Sequence, residues 1–466
     1  MNIIVVIADT FRYDNIYPLG SGAVGGPHLE TFAQQGVSLN NFYTGSFPTI
    51  PQRTDFTTGR VGWPWYPWQS LLRSGRNHLP KLLAPHGYVS QLIGDCPHLI
   101  KAQFDLGFTG FHQVRGQEGD THFLRLNHEI REVIPPDKTR PGSHFRDHNL
   151  ADLHRWINQY YQRESQTFAY RTASLAEEWL EENYLQDPFF LWVDFFDPHE
   201  PWDPPEYLVR KYDDSGYDGP PLIHPNYGRA DVYTDAELSN LRAHYLAEAF
   251  LVDRSVGRIL QKIEDLDLFN KSIVIFMSDH GMSTGEHNRT GKSNIGTGDS
   301  RYWPIFPEVA HCPFIIRAPQ LPQDTAVSSY IQPCDILPTL AELVDLNLNY
   351  EDPIHGRSFA GPLRGEADPN PRTFAVTASF SVPADGSVAD RSTTPVVYSD
   401  EWIYVPIGME GETALFDRRA DPMAETNVVG DHPAKAEAMQ DLLNRYLADL
   451  DAPERAVKAV QPLAQG

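Results

Sequence analysis

Ser272-Ile273-Val274-Ile275-Phe276-Met277-Ser278-Asp279-His280-Gly281 is the stretch whose reading decides the fold. Ser272 to Met277 is a short apolar run with β-branched members on both faces, the pattern of a strand buried on both sides in a parallel sheet. A carboxylate, an imidazole and a glycine follow at its end. The chain opens in the same way, with Ile3 to Ala8 running into Asp9. Further runs of this kind are Tyr88 to Ile93, Phe189 to Phe196 and Pro313 to Arg317. Ahead of Ser272, Ala249, Val252, Val256, Ile259 and Ile263 recur at three or four, with Asp253, Arg254, Arg258 and Lys262 between them, which predicts an amphipathic helix. Strands alternating with such helices predict an α/β sheet covered on both sides.

The chain has 466 residues, against about 100–200 per domain. Residues 1–360 are expected to form the α/β domain. After about Gly361 the pattern changes to short strands, Thr393 to Tyr398 and Trp402 to Val405, and then the amphipathic stretch Ala434 to Leu450. Residues 361–466 are therefore expected to form a smaller C-terminal α+β subdomain. With 38 basic and 62 acidic residues, the formal charge of −24 argues against coating nucleic acid. Any anionic substrate must meet a local cationic pocket. Cys96, Cys312 and Cys334 fit neither a disulfide framework nor a zinc cluster. The first strand lacks a basic flank and is cut short by Asp9, so neither a membrane span nor a signal peptide is read there. A cytoplasmic protein is expected.

Asp9 and Asp279-His280 would emerge together at the carboxyl edge of the sheet. Two carboxylates and an imidazole suit one divalent metal ion, Mn, Zn or Mg, while Ca prefers more oxygen ligands. Taken singly, each Asp would merely cap a turn. Thr49-Ile50-Pro51-Gln52-Arg53, running on to Thr58-Gly59-Arg60, reads as a short helix with Pro51 in its first turn and Gly59 at its end. A hydroxyl at a helix start sits beside a natural oxyanion site. Thr49 with Gln52 is also a capping box that needs no chemistry. Arg53, one turn inside, is expected to fork onto a tetrahedral anion. His287 and Lys292 follow Asp279 closely, and Asp197-Pro198-His199-Glu200-Pro201 follows the run that ends at Phe196.

In their order along the chain, these segments resemble the sulfatase family of the alkaline-phosphatase superfamily. Phe306-Pro307-Glu308-Val309-Ala310, Asp335-Ile336-Leu337-Pro338-Thr339-Leu340 and Leu415-Phe416-Asp417 extend the resemblance to nearly the whole length. It implies the family's central, mostly parallel sheet flanked by helices. It also implies a metal held by Asp9, Asp279, His280 and the nucleophile at position 49. Arg53, Lys292, His287 and His199 would surround the transferred group, and His98, in Gly94-Asp95-Cys96-Pro97-His98, would join them. His199 or His287 would protonate the leaving group, and spacing does not choose between them.

The sequence departs from the family at two points. Sulfatases carry Cys or Ser where Thr49 stands and oxidise it to formylglycine, an aldehyde that Thr cannot yield. The Thr49 hydroxyl is then the attacking group, and a covalent ester on threonine favours phosphate mono- or diesters over sulfate. The alternatives are a sulfuric ester hydrolase without formylglycine and a non-catalytic binding protein with a degenerate site. Many sulfatases also follow the first Asp with another, where this chain has Thr10, so one metal is expected. The partner is expected to be a small anionic ester, with self-association left open. Trp63-Pro64-Trp65-Tyr66-Pro67-Trp68 reads equally well as a stacking wall and as a stretch buried under the C-terminal subdomain.

Overall fold

The computed structural model describes residues 1–66, 68–161, 163–293, 301–379 and 393–463; Pro67 lies outside them. Its centre is a sheet of 8 strands: β1 (Asn2–Ala8), β2 (Val37–Leu39), β3 (Val89–Gly94), β4 (Gly110–Gln113), β5 (Phe189–Phe195), β6 (Ser272–Ser278), β7 (Phe314–Arg317) and β8 (Thr325–Val327). The spatial order is β8-β2-β7-β6-β1-β5-β3-β4. All pairings are parallel except those of β7, which runs against both β6 and β2.

Every residue of β1, β5 and β6 is buried. Alternation divides β1 between two cores. Ile3, Val5 and Ile7 face α2 (Thr49–Thr58) and α5 (Ile336–Leu343). Ile4, Val6 and Ala8 face α1 (Pro27–Gln34), α3 (Phe168–Asn183) and α4 (Asp235–Asp265). Each fully buried aliphatic side chain adds about 1.5–3 kcal/mol, so neither face can be exposed.

A second, antiparallel sheet comprises β9 (Phe374–Thr377), β10 (Val396–Ser399), β11 (Trp402–Val405) and β12 (Ala414–Asp417), in that order. Its two faces are also used differently. Val396, Tyr398, Ile403 and Val405 pack on Tyr43, Phe47 and Phe306 of the first layer. Val397, Tyr404 and Leu415 pack with Trp63 and with Met439, Leu443 and Leu447 of α6 (Pro433–Asp449). Just past β9, the Ala378 carbonyl accepts from Phe47 N at 2.9 Å, and Ala378 N donates to the Gly45 carbonyl at 3.1 Å. The second sheet thereby braces the turn that leads into Thr49.

Candidate active site

β1 and β6 end level, with Ala8 opposite Ser278, so the residues that follow leave the sheet side by side. Ligand atoms of Asp9, Asp279 and His280 lie within 4.8 Å of one another, and all three residues are buried. His280 Nδ1 donates to the Gly281 carbonyl at 3.0 Å. That bond fixes the tautomer and turns the Nε2 lone pair toward Asp9 Oδ1, at 3.8 Å, and Asp279 Oδ2, at 3.6 Å. Nε2 has no hydrogen-bond partner, and neither has Asp9 Oδ2. Burial, reinforced by the charge of Asp279, pushes the Asp9 carboxyl well above its ordinary range. Burial pushes the His280 imidazole down to about 4. Crowded carboxylates, a neutral imidazole and two buried atoms without hydrogen-bond partners fit a divalent cation. The Thr10 hydroxyl donates to Asp9 Oδ1 at 2.7 Å, and its N–H to Asp279 Oδ1 at 3.1 Å. Where many sulfatases have a second carboxylate, this chain therefore places a hydroxyl that orients Asp9.

α2 begins at Thr49, with Pro48 as its cap and no side chain capping it. The capping box is not formed, and the Gln52 amide is buried without partners. Gly59 ends the helix in the left-handed region, at φ 68°. Arg53 does not open onto an anion. Its Nε and Nη2 reach Asp194 at 2.8 Å and 2.9 Å, Nη1 reaches Asp279 at 2.6 Å, and Nη2 lies 3.3 Å from Asp9. The guanidinium is wholly buried, and turning it toward substrate would leave three buried carboxylates short of their counter-charge. Nη1 also donates to the Thr49 carbonyl at 3.1 Å, so Arg53 ties the start of α2 to the metal-type carboxylates. On the other side the Phe47 ring lies 4.9 Å from that of His280.

Lys292 does face the site. Its Nζ is buried without a hydrogen-bond partner, 3.9 Å from Asp9 Oδ1. His199 is stacked on Phe196 at 4.0 Å, and its Nδ1 lies 2.7 Å from the Glu200 carbonyl. Burial, then the charge of Lys292, pushes its imidazole well below the ordinary range. His98 joins from the short helix Pro97–Lys101, its ring 5.7 Å from Phe196 and its Nε2 2.7 Å from Glu118 Oε2. His287 stands apart. Nδ1 is 3.0 Å from Glu308 Oε1, Nε2 is 3.1 Å from the Ala424 carbonyl, and the ring stacks on Phe306 at 3.8 Å. Both its nitrogens are engaged, so His287 presents no free nitrogen to a leaving group in this structure, unlike the sequence expectation for this residue.

The sulfatase family model matches residues 1–346. The chain belongs to the sulfatase family. Among curated sulfatase relatives, Arylsulfatase K of Xenopus laevis is 24% identical over 95% of this chain and 81% of its own. An Arylsulfatase of Clostridium perfringens is 22% identical over 100% of this chain and 97% of its own. Among solved structures, the phosphonate monoester hydrolase of Agrobacterium radiobacter superposes with a TM-score of 0.73 at 22% identity, covering 96% of this chain and 95% of that one. The mostly parallel sheet with a small antiparallel sheet behind it is thus the family's fold, and the protein is a hydrolase acting on ester bonds.

Some members of this sulfatase site were not picked out from the sequence. Asp194, which closes the Arg53 fork, also accepts from Trp192 Nε1 at 2.9 Å. The signal was present: it is the only charge in β5, an otherwise apolar strand buried on both faces, where a charge needs a partner. Glu118 stands in a loop that the sequence marks for reading hydroxyls or for a pair of Arg115 with Glu118, but Arg115 pairs with Asp120 and Glu118 with His98 and Arg140. Arg140 carried no signal, because its partner comes from a distant segment. Of the tryptophans, Trp63 is buried beneath the second sheet, whereas Trp68 is 43% exposed and stands edge-on to His98, ring centroids 5.0 Å apart.

Proposed function

We propose that this sulfatase-family hydrolase cleaves a phosphate mono- or diester by direct attack of the Thr49 hydroxyl. Two features support the reading. Thr cannot yield the aldehyde on which formylglycine sulfatases depend, and Arg53 holds Thr49 against the Asp9, Asp279 and His280 group by one nitrogen shared between the Thr49 carbonyl and Asp279. Asp9, Asp279 and His280 would hold one divalent ion, with the Thr49 hydroxyl as a further ligand. When bound, such an ion supplies the positive charge that makes a hydroxyl a competent nucleophile and offsets charge on the phosphoryl oxygens.

The chain's own groups divide the remaining work. His199, whose Nδ1–H is given to the Glu200 carbonyl, keeps its Nε2 lone pair for the Thr49 proton. Thr49 Oγ1 then bonds to phosphorus, and the bond from phosphorus to the leaving oxygen breaks. Glu118 orients His98 through Nε2, leaving Nδ1 to protonate that oxygen. Lys292 Nζ, which has no hydrogen-bond partner in the resting site, offsets charge on the transferred group. Water next gives a proton to His98 as it attacks phosphorus, the bond to Thr49 breaks, and His199 returns its proton to restore the hydroxyl.

A sulfate ester hydrolase working without formylglycine is the second reading, favoured by the arylsulfatase names of the curated relatives. The test is turnover of matched aryl phosphate, aryl phosphodiester and aryl sulfate esters by metal-loaded protein, with acid quenching to trap the adduct on Thr49. Phosphate preference and phosphothreonine are expected. Sulfate preference would establish the second reading, Thr49→Ala with unchanged rates would remove Thr49 from the reaction, and a wild type that turns over none of the esters would leave only a binding function.

A further inference from the structure

Next to His98 and Glu118 stands a charged group that the proposed reaction leaves unused, Arg140. Glu118 sits in the loop after β4 with a positive φ of 49°, and it stands between two cations. Its Oε2 is 2.7 Å from His98 Nε2, and its Oε1 is 3.5 Å from Arg140 Nη1. Burial opposes ionisation of Glu118, but His98, His199 and Arg140 together hold its carboxyl below the ordinary range. The contact to Arg140 is longer than the roughly 2.7–2.9 Å of a charge-assisted hydrogen bond, so the guanidinium is attracted but not used up.

Arg140 lies over the Tyr227 ring, with Cζ 5.1 Å from its centroid. Its Nε is buried and has no hydrogen-bond partner. A guanidinium resting over a buried ring, with one donor unsatisfied, is suited to grip a planar anion. The cluster is open to entry, since the side chains of His98, Glu118 and Arg140 keep 20%, 11% and 16% of their exposure. Trp68 adds an exposed aromatic surface beside His98. Phe196, which touches both His98 and His199, joins this cluster to the reaction centre. In a chain of net charge −24, a cation with one donor unsatisfied beside the reacting groups has a selective use.

We infer that Arg140 determines specificity for the leaving group, binding a carboxylate on the alcohol half of the ester while Trp68 supports that half's ring. This rests on the site assignment in the proposed reaction but not on which acid is esterified. Glu118 sets the selectivity from the other side. It holds Arg140 without neutralising it at contact distance, and it repels an anion that approaches His98 instead.

The test compares 3-carboxyphenyl with 3-carbamoylphenyl esters, alike in size, each as phosphate and as sulfate. Full-length, Mg²⁺- or Mn²⁺-loaded wild type is set against Arg140→Gln and Arg140→Lys. The wild type is expected to favour the carboxylate by about tenfold or more in kcat/KM. Arg140→Gln should bring the two esters to within about twofold, with its melting temperature near wild type, and Arg140→Lys should fall between. In a second arm, calorimetry measures binding of 3-hydroxybenzoate and 3-hydroxybenzamide. Arg140→Gln should weaken the first about tenfold and leave the second unchanged. A wild type without preference, or a preference that survives Arg140→Gln, overturns the inference. If the wild type turns over none of the four esters, the proposed reaction fails and the binding arm alone decides the role of Arg140.

Discussion

Arg53 and Asp194 form a two-pronged ion pair, Nε to Oδ2 at 2.8 Å and Nη2 to Oδ1 at 2.9 Å, with both side chains fully shielded from water. One residue comes from the α2 helix and the other from the middle of the sheet, so the pair fixes the height of Thr49 above the strand ends. Removing one partner of a buried pair leaves the other desolvated without compensation. Asp194→Asn is expected to lower the unfolding free energy by about 3–5 kcal/mol, read as a fall in the urea midpoint at constant slope. Arg53→Lys should cost a comparable amount, because an ammonium cannot grip Asp194 from two sides while reaching Asp279. A midpoint unchanged in both variants would rule out this bracing role.

Thr49 separates chemistry from architecture. Thr49→Ala should reduce kcat/KM by about 10³-fold or more, with a melting temperature close to wild type, since the contact to Arg53 runs through the backbone carbonyl. Thr49→Ser keeps the hydroxyl and should retain activity within roughly tenfold. Mass spectrometry of acid-quenched wild type should find the adduct on the peptide that contains Thr49, and Thr49→Ala should show none.

The metal-type group makes a prediction independent of turnover. A divalent ion that binds only the folded protein adds about 2.7 kcal/mol of stability at a hundred times its dissociation constant. Titrating Mg²⁺, Mn²⁺, Zn²⁺ and Ca²⁺ separately should raise the melting temperature with at least one of them, and a chelator should reverse the rise. Asp9→Asn and His280→Ala should each abolish it. An equal rise in these variants would place the bound ion elsewhere.

His287 and Glu308 give a pH signature. Burial alone would lower the His287 imidazole, but the Glu308 carboxylate 3.0 Å away overcomes it and the net shift is upward. A group raised on folding contributes stability that is complete below its unfolded value, about 6.5 for His, and is lost as pH rises through the folded value. The stability difference between wild type and Glu308→Gln should therefore be largest near pH 6 and shrink above it, with a slope of at most about 1.4 kcal/mol per pH unit. Denaturant titrations at several pH values measure it. A difference that grows with pH would contradict the pairing.

The strands were legible because runs such as Ile3 to Ala8 and Ser272 to Met277 must bury both faces wherever they sit. The direction of β7 was not, since an apolar strand has the same period whether parallel or antiparallel. The helical pattern was evident from Ala249 to Ile263, yet α4 begins at Asp235. In its first half, His244 and Glu248 are buried with Leu241 and Tyr245, and polar residues on the inward face break the apolar stripe. The indole run divided as tertiary packing required, Trp63 inward and Trp68 outward.

At the site, placement and role became visible at different levels. Asp9 and Asp279-His280 could be put together from sequence because each directly follows a strand, and strands of one parallel sheet end on one edge. The three histidines looked alike because their surroundings are built from elsewhere: Glu308 and Ala424 hold His287, the Glu200 carbonyl orients His199, and Glu118 meets His98. The Arg53 fork looked available because Asp194 lies in another element.

The sequence by itself determined the element types, the two strand ends that carry the carboxylates, and a hydroxyl where its family has an oxidisable side chain. These are local properties, fixed by periodicity and by the atoms each residue owns. Only the tertiary structure decided which charges are spent on one another and which remain for a ligand. Arg53 and His287 are consumed by partners, while Lys292 and one edge of Arg140 are not. A side chain's availability depends on what packing brings within hydrogen-bond distance, and no neighbouring stretch of chain records that.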